Sequence, residues 1–298
     1  MIHPRLRRLF PFAVVLLLAA CASQAPAPVQ LPPAPASAPI KPPLRIALAL
    51  GGGAARGFAH VGVIKALEAQ GIVPEISVGT SAGAVVGALY AAGANGFELQ
   101  KQVLQVDEAQ FSDWSLPDRG VLKGEALQNY VNIAVGGRPL EKLGRLLAVV
   151  ATDLQSGEAV VFRTGNTGMA VRASSSVPGV FQPVRINGRD YVDGGLVSPV
   201  PVRVARGLGA TFVIAVDIST RPEHSRIEST LDVLLQTFSI MGKELAGREL
   251  PDADQVIRPY TSVLSSTSFQ DRHLAVLEGE KAVAAILPEL KAKLAKYR

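Results

Sequence analysis

Two short segments hold residue types that can do chemistry at the spacing chemistry needs. Gly79-Thr80-Ser81-Ala82-Gly83 is a G-x-S-x-G pattern between an apolar run and a run of small, helix-compatible residues. A serine on a sharp strand-to-helix turn presents its hydroxyl at the positive end of the helix, where developing negative charge is favoured. Such a pentapeptide also occurs as a plain structural turn, so the flanking elements decide. The second segment is Gly51-Gly52-Gly53-Ala54-Ala55-Arg56-Gly57. A glycine-rich loop opening a helix offers unpaired backbone N–H groups, which suit a phosphate or an oxyanion. The dinucleotide spacing G-x-G-x-x-G fails from Gly51, because Arg56 holds its last position. It fails from Gly52, because Ala54 holds its middle one. An oxyanion hole and a purely structural turn remain.

A serine nucleophile needs a base. The histidines are His3, His60, His224 and His273. His3 lies in an N-terminal export signal, and His60 reads as a packed residue of the first helix. A triad in the order Ser…Asp/Glu…His would use His224 or His273, both in polar contexts that equally suit surface histidines. A carboxylate is the other route. Asp193-Gly194-Gly195 follows a hairpin signal, Asn187-Gly188, so Asp193 would sit at a strand end with glycines letting another backbone approach. A simple turn aspartate has the same local pattern. No His/Asp or Cys cluster with metal-ligand spacing is present, and no cofactor or metal is expected.

The elements that must position these groups read as strand–helix–strand–helix. They are 45–50, 54–70, 72–78 with Pro74 near its start, and 82–92, with Gly79-Thr80-Ser81 as a turn. That order argues a parallel sheet covered by helices. Further strands are expected at 146–152, 159–163, 184–186, 190–192 and 211–217. Amphipathic helices are expected at 226–250 and from His273 past Pro288. Residues 94–143 are weakly periodic and read as a helical insertion over a site. Phe111, Trp114 and Leu116 within it suit either interfacial contact or core.

The chain has 298 residues, 48% hydrophobic and 18% charged, with one cysteine, so an intramolecular disulfide framework is excluded. Arg5, Arg7 and Arg8 precede an apolar run, Leu9 to Leu18, and Leu18-Ala19-Ala20-Cys21 resembles the lipobox of bacterial lipoproteins. Residues 1–20 are read as a signal peptide, with Cys21 lipidated. Residues 22–43 hold eight prolines and six alanines, a composition for an extended tether rather than a core. Removing residues 1–20 takes three arginines and no acid from a formal +5, leaving +2, and with it most of any argument for a nucleic-acid partner. By resemblance to Gram-negative sorting rules, Ala22 after the cysteine implies a bacterial envelope protein anchored in the outer membrane.

Several motifs in order resemble the patatin-like phospholipase family over roughly residues 44–220. They are 51–57, 79–83, Ala151-Thr152-Asp153-Leu154, the run from Arg172 to Pro183, Tyr191-Val192-Asp193-Gly194-Gly195-Leu196 and Pro199-Val200-Pro201-Val202. The resemblance implies an α/β three-layer fold with a central, mostly parallel sheet and helices on both faces, spanning 44–298, with a C-terminal helical region at 224–298. It implies a lipid acyl hydrolase with Ser81 as nucleophile and Asp193 as general base, and Gly52, Gly53 and Ala54 as backbone oxyanion donors. Gly51, Arg56, Gly79, Gly83 and Gly194 would support them. Arg56 would brace the loop or attract lipid phosphate. Asp153 and Ser174–Ser176 would organise the loops. Ala54 departs from relatives with a fourth glycine, which leaves a backbone donor in place. The partner implied is a membrane phospholipid or other acyl-ester lipid. An α/β-hydrolase esterase and a lipid-binding lipoprotein on an inactive scaffold are the competing readings.

Overall fold

The computed structural model of the chain describes residues 43–114, 119–219, 227–261, 264 and 269–297. The signal segment, Cys21, the tether to residue 42, Leu116 and His224 lie outside them. β1 (Ile46–Leu50) is apolar at every position, as a strand covered on both faces must be. Its alternate residues build the two interfaces. Ile46, Leu48 and Leu50 pack with α1 (Phe58–Glu68) and α8 (Arg272–Ala295), whereas Ala47 and Ala49 pack with α6 (Val202–Gly207) and with Ala246 of α7 (Thr230–Glu249). The result is the expected three-layer arrangement.

The parallel core runs β10 (Gln255–Ile257), β9 (Phe212–Val216), β1, β2 (Ile76–Thr80), β4 (Leu146–Asp153). Three antiparallel strands complete the sheet: β5 (Ala159–Phe162) and β8 (Arg189–Asp193) on β4, and β7 (Val184–Ile186) on β8. β3 (Gly120–Leu122) and β6 (Gly179–Phe181) form a separate parallel pair. The β7–β8 turn is Asn187-Gly188, both with positive φ, as its sequence signals.

Several boundaries differ from the sequence expectation. β2 begins at Ile76, because Pro74 has no N–H to give the ladder. It runs on through Gly79 and Thr80, so the turn is Ser81 alone before α2 (Ala82–Ala91). The 94–143 segment is helical in α3 (Gly96–Leu104) and α4 (Glu125–Ala134) but also holds β3. Within it, Phe111 stacks edge-on against Tyr130 at 5.3 Å, while Trp114 is 71% exposed. The C-terminal helices start at Thr230, behind a Ser229/Asp232 capping box, and at Arg272. α5 (Thr167–Ser174), α6, β6 and β10 are further elements, each short.

Candidate active site

The register of β4 places the site. β2 pairs with β4 over Leu146–Val150, and β8 pairs with it over Ala151–Asp153. β5 pairs with Val149–Thr152 and therefore occupies the other edge of β4 where it overlaps both. β2 and β8 thus lie end to end on one edge. Thr80, the last residue of β2, is opposite Val150, and Asp193, the last residue of β8, is opposite Ala151. Ser81 follows Thr80 directly, so the two strand ends deliver Ser81 and Asp193 to the same point. A side chain at Gly194 would run into the carbonyl of Val150, which is why glycine follows the aspartate.

Ser81 has φ 54° and ψ −122°, a backbone conformation costly for any residue with a Cβ. The surroundings hold it there. Its N–H donates to Ser174 Oγ at 2.9 Å, and that hydroxyl donates to Val150 O at 2.5 Å. Its carbonyl accepts from Ala84 and Val85 at the start of α2. Thr80 Oγ1 donates to Ser198 O at 2.8 Å. Gly83 and Gly79 let α2 lie against the β1 end and against β2.

Asp193 is buried. Its Oδ1 accepts from the Gly195 N–H at 2.7 Å and its main-chain carbonyl accepts from Thr152 Oγ1 at 2.8 Å. The Ser81 hydroxyl lies close enough to the carboxyl to stabilise its charged form, yet Oδ2 makes no well-formed hydrogen bond. A loose contact of this kind is common in a free enzyme and tightens only with substrate. Burial dominates and raises the Asp193 pKa to about 6, against the opposing pull of Ser81 and the Gly195 N–H.

The glycine loop lies beside the serine, and a Cβ on Gly52 would sit 3.3 Å from Ser81 Cβ. One expected donor is lost there. The Gly52 N–H donates to Pro199 O at 3.0 Å, so it is committed to the fold. The N–H groups of Gly53 and Ala54 meet no acceptor among the described residues. Ala54 itself has φ 50°, the conformation a fourth glycine would adopt freely. Arg56 is buried, its Nε donates to Gly53 O at 3.2 Å, and burial lowers its pKa to about 10 against the attraction of Asp217. It braces the loop from inside rather than reaching toward solvent.

His60 is fully buried, as expected of a packed helix residue, but its role is local. Nε2 lies 2.8 Å from Gly51 O, so the ring donates there and fixes the loop's first residue. Burial lowers its pKa to about 4. Among the described residues no histidine bonds to Ser81, and His273 is exposed on α8. The 199–202 motif is legible in the sequence, but the role of the 198–199 carbonyls is not. Through Ser198 O and Pro199 O this segment ties the serine strand and the glycine loop together, and main-chain acceptors leave no mark in a sequence. Asp153 pairs with Arg189 and accepts from the N–H groups of Gln155 and Ser156, which organises its loop as expected. Ser176 Oγ donates to Arg172 O.

The three-layer fold thus sets a strained serine and a buried carboxyl at adjoining strand ends. Residues 48–206 match the family model described as patatin-like phospholipase, and the chain belongs to that family. An uncharacterized NTE family protein of Mycobacterium tuberculosis is 38% identical over 196 residues, covering 65% of this chain and 53% of the relative. Human patatin-like phospholipase domain-containing protein 6 is 32% identical over 186 residues, 60% of this chain and 14% of that one. The chain thus spans about half the length of the mycobacterial relatives it matches. The crystal structure of VipD from Legionella pneumophila shares the fold, with a TM-score of 0.59 at 16% identity over 84% of this chain and 68% of that one.

Proposed function

We propose that the chain is a lipid acyl hydrolase of the phospholipase A or lysophospholipase type, working through Ser81, Asp193 and an acyl-enzyme. The observation that carries this reading is the meeting of Ser81 and Asp193 on one edge of β4, the serine strained and the carboxyl desolvated. Ser81 Oγ attacks an ester carbonyl while Asp193 takes its proton. The N–H groups of Gly53 and Ala54, with the start of α2, hold the tetrahedral oxyanion. Collapse returns that proton to the departing alcohol and leaves an ester on Ser81. Water then gives a proton to Asp193 and attacks the acyl carbon, and collapse returns that proton to Ser81 Oγ as the fatty acid leaves. An aspartate of ordinary pKa, ~3.9, is a weak base for this work, and burial strengthens it. The family's description and the name of the human relative support a lipid ester as the substrate.

The reading extends to the envelope. Cys21 would carry the lipid, and residues 22–43 would tether the domain to the outer membrane that supplies its substrate.

A fluorophosphonate probe on folded protein should label the wild type and not Ser81→Ala. Absence of labelling in the wild type would favour a lipid-binding scaffold instead. The pH profile of kcat/KM on a water-soluble ester should also be informative. Asp193 accepts a proton only when ionised, so activity should fall on the acid side with a midpoint near pH 6. A limb near pH ~4 would mean an ordinary, solvated carboxylate.

A further inference from the structure

α7 is apolar on two sides. Its inner side reaches the site: Phe238 packs on Gly195, whose Cβ would stand 2.9 Å from the ring, and Leu231 approaches Gly179. Gly195 in turn donates its N–H to Asp193 Oδ1, so the ring lies beside the buried carboxyl. The helix is buried only at Gly242, Ala246 and Glu249, all in its C-terminal half. Its outer side holds Val233, Leu234, Ile240 and Met241, each 48–55% exposed. A helix face directed at water is normally polar. From Thr230 to Met241 the only charge is Asp232, and that carboxylate is engaged in the cap with Ser229. No helix among the described residues is long and apolar enough to cross a membrane, and the apolar outer face of α7 suits it to lie on a lipid surface.

We propose that the outer face of α7 docks on a lipid bilayer and that docking lifts Phe238 from Gly195, opening the approach to Asp193 where the substrate lies. The choice of occupant rests on the lipid-hydrolase reading and on three observations. The face is uncharged from Val233 to Met241, it belongs to the helix that packs on Gly195 beside Asp193, and its N-terminal half has no buried residue to hold it down. A protein partner would need directional polar contacts at the rim, whereas an acyl layer needs only apolar area.

The test uses the full chain as Cys21→Ser with Thr237→Cys, so that a polarity-sensitive fluorophore sits at one place on the outer face. Added phosphatidylcholine vesicles should shift its emission to the blue. An N-terminal segment that binds the vesicle by itself does not move a probe on α7, so an unchanged spectrum overturns the proposal. A shift that appears with protein concentration and without vesicles also overturns it, in favour of a second copy of the chain. In parallel, Val233→Ser/Ile240→Ser should lose about tenfold or more in hydrolysis of vesicle lipid and stay within about twofold of wild type on a soluble short-chain ester. Equal loss on both substrates, or on neither, sinks the idea. If no ester is cleaved by any form, the hydrolase reading fails while the Thr237 probe still reports on docking.

Discussion

Asp193→Asn should lose ester hydrolysis by about a thousandfold or more and at the same time melt at a higher temperature than wild type. On the proposed mechanism, the activity loss follows from removing the one group among the described residues that is placed to take the Ser81 proton. The stability gain follows from linkage. The folded pKa of Asp193, about 6, lies above the ordinary 3.8, so between those values the native state binds more protons than the unfolded one. The ionised carboxylate therefore costs stability that is absent below pH ~4 and fully present above the folded pKa. A shift of this size corresponds to on the order of 2–3 kcal/mol at neutral pH, which a neutral asparagine avoids while keeping an oxygen for the Gly195 N–H. His60 acts with the opposite sign. Its folded pKa of about 4 lies below the ordinary 6.5, so its contribution is present at neutral pH and is lost as pH falls toward 4. In the wild type the two slopes offset each other over that window. In Asp193→Asn only the His60 slope remains, so the melting temperature should fall more steeply between pH 6.5 and 4. Thermal melts of both proteins across that range check the sign. A variant that is no more stable at pH 7, with an unchanged slope, would show that the carboxylate is solvated.

The parts of this site that were legible beforehand are those carried by side-chain type and by glycine. Gly79-Thr80-Ser81-Ala82-Gly83 announces a tight turn because nothing larger fits, and Asp193-Gly194-Gly195 does so for the same reason. β1 and β9 were legible because central parallel strands are apolar throughout. What the pattern did not reveal is carried by main-chain atoms and long-range packing. Pro199 O captures the Gly52 N–H, which removes one expected oxyanion donor, and no residue type foretells it. Three-residue strands such as β6 and β10 are too short to show a period of two. The amphipathic pattern of α7 located a helix. It did not show that Phe238 would pack on Gly195 while Val233 and Leu234 faced outward, since apolar residues occur on both sides.

Gly83→Ala should destabilise the fold by several kcal/mol and, in whatever folds, reduce turnover more than ground-state binding. The new methyl would overlap the main-chain carbonyl of Leu50 at the end of β1. A flexible side chain could step aside, but this obstacle is backbone held in the sheet. Leu50 is paired with Gly79 on β2 and Val216 on β9, so it cannot retreat without breaking both ladders. α2 must move instead, and with it goes Ser81, whose carbonyl the first turn of α2 holds. The distance between the serine hydroxyl and the Gly53 and Ala54 N–H groups then grows. If those donors serve the oxyanion as proposed, more than the ground-state carbonyl, kcat should fall further than KM rises. Gly87→Ala, one turn along the same helix, is the control. Its nearest neighbour is the side-chain Cδ1 of Leu147 at 3.3 Å, which can yield, and alanine gains up to ~1 kcal/mol of helix propensity over glycine. Gly87→Ala should therefore be close to neutral in melting and turnover. If both variants behaved alike, the cost would belong to helix propensity, and the close packing of α2 on β1 would not be what positions Ser81.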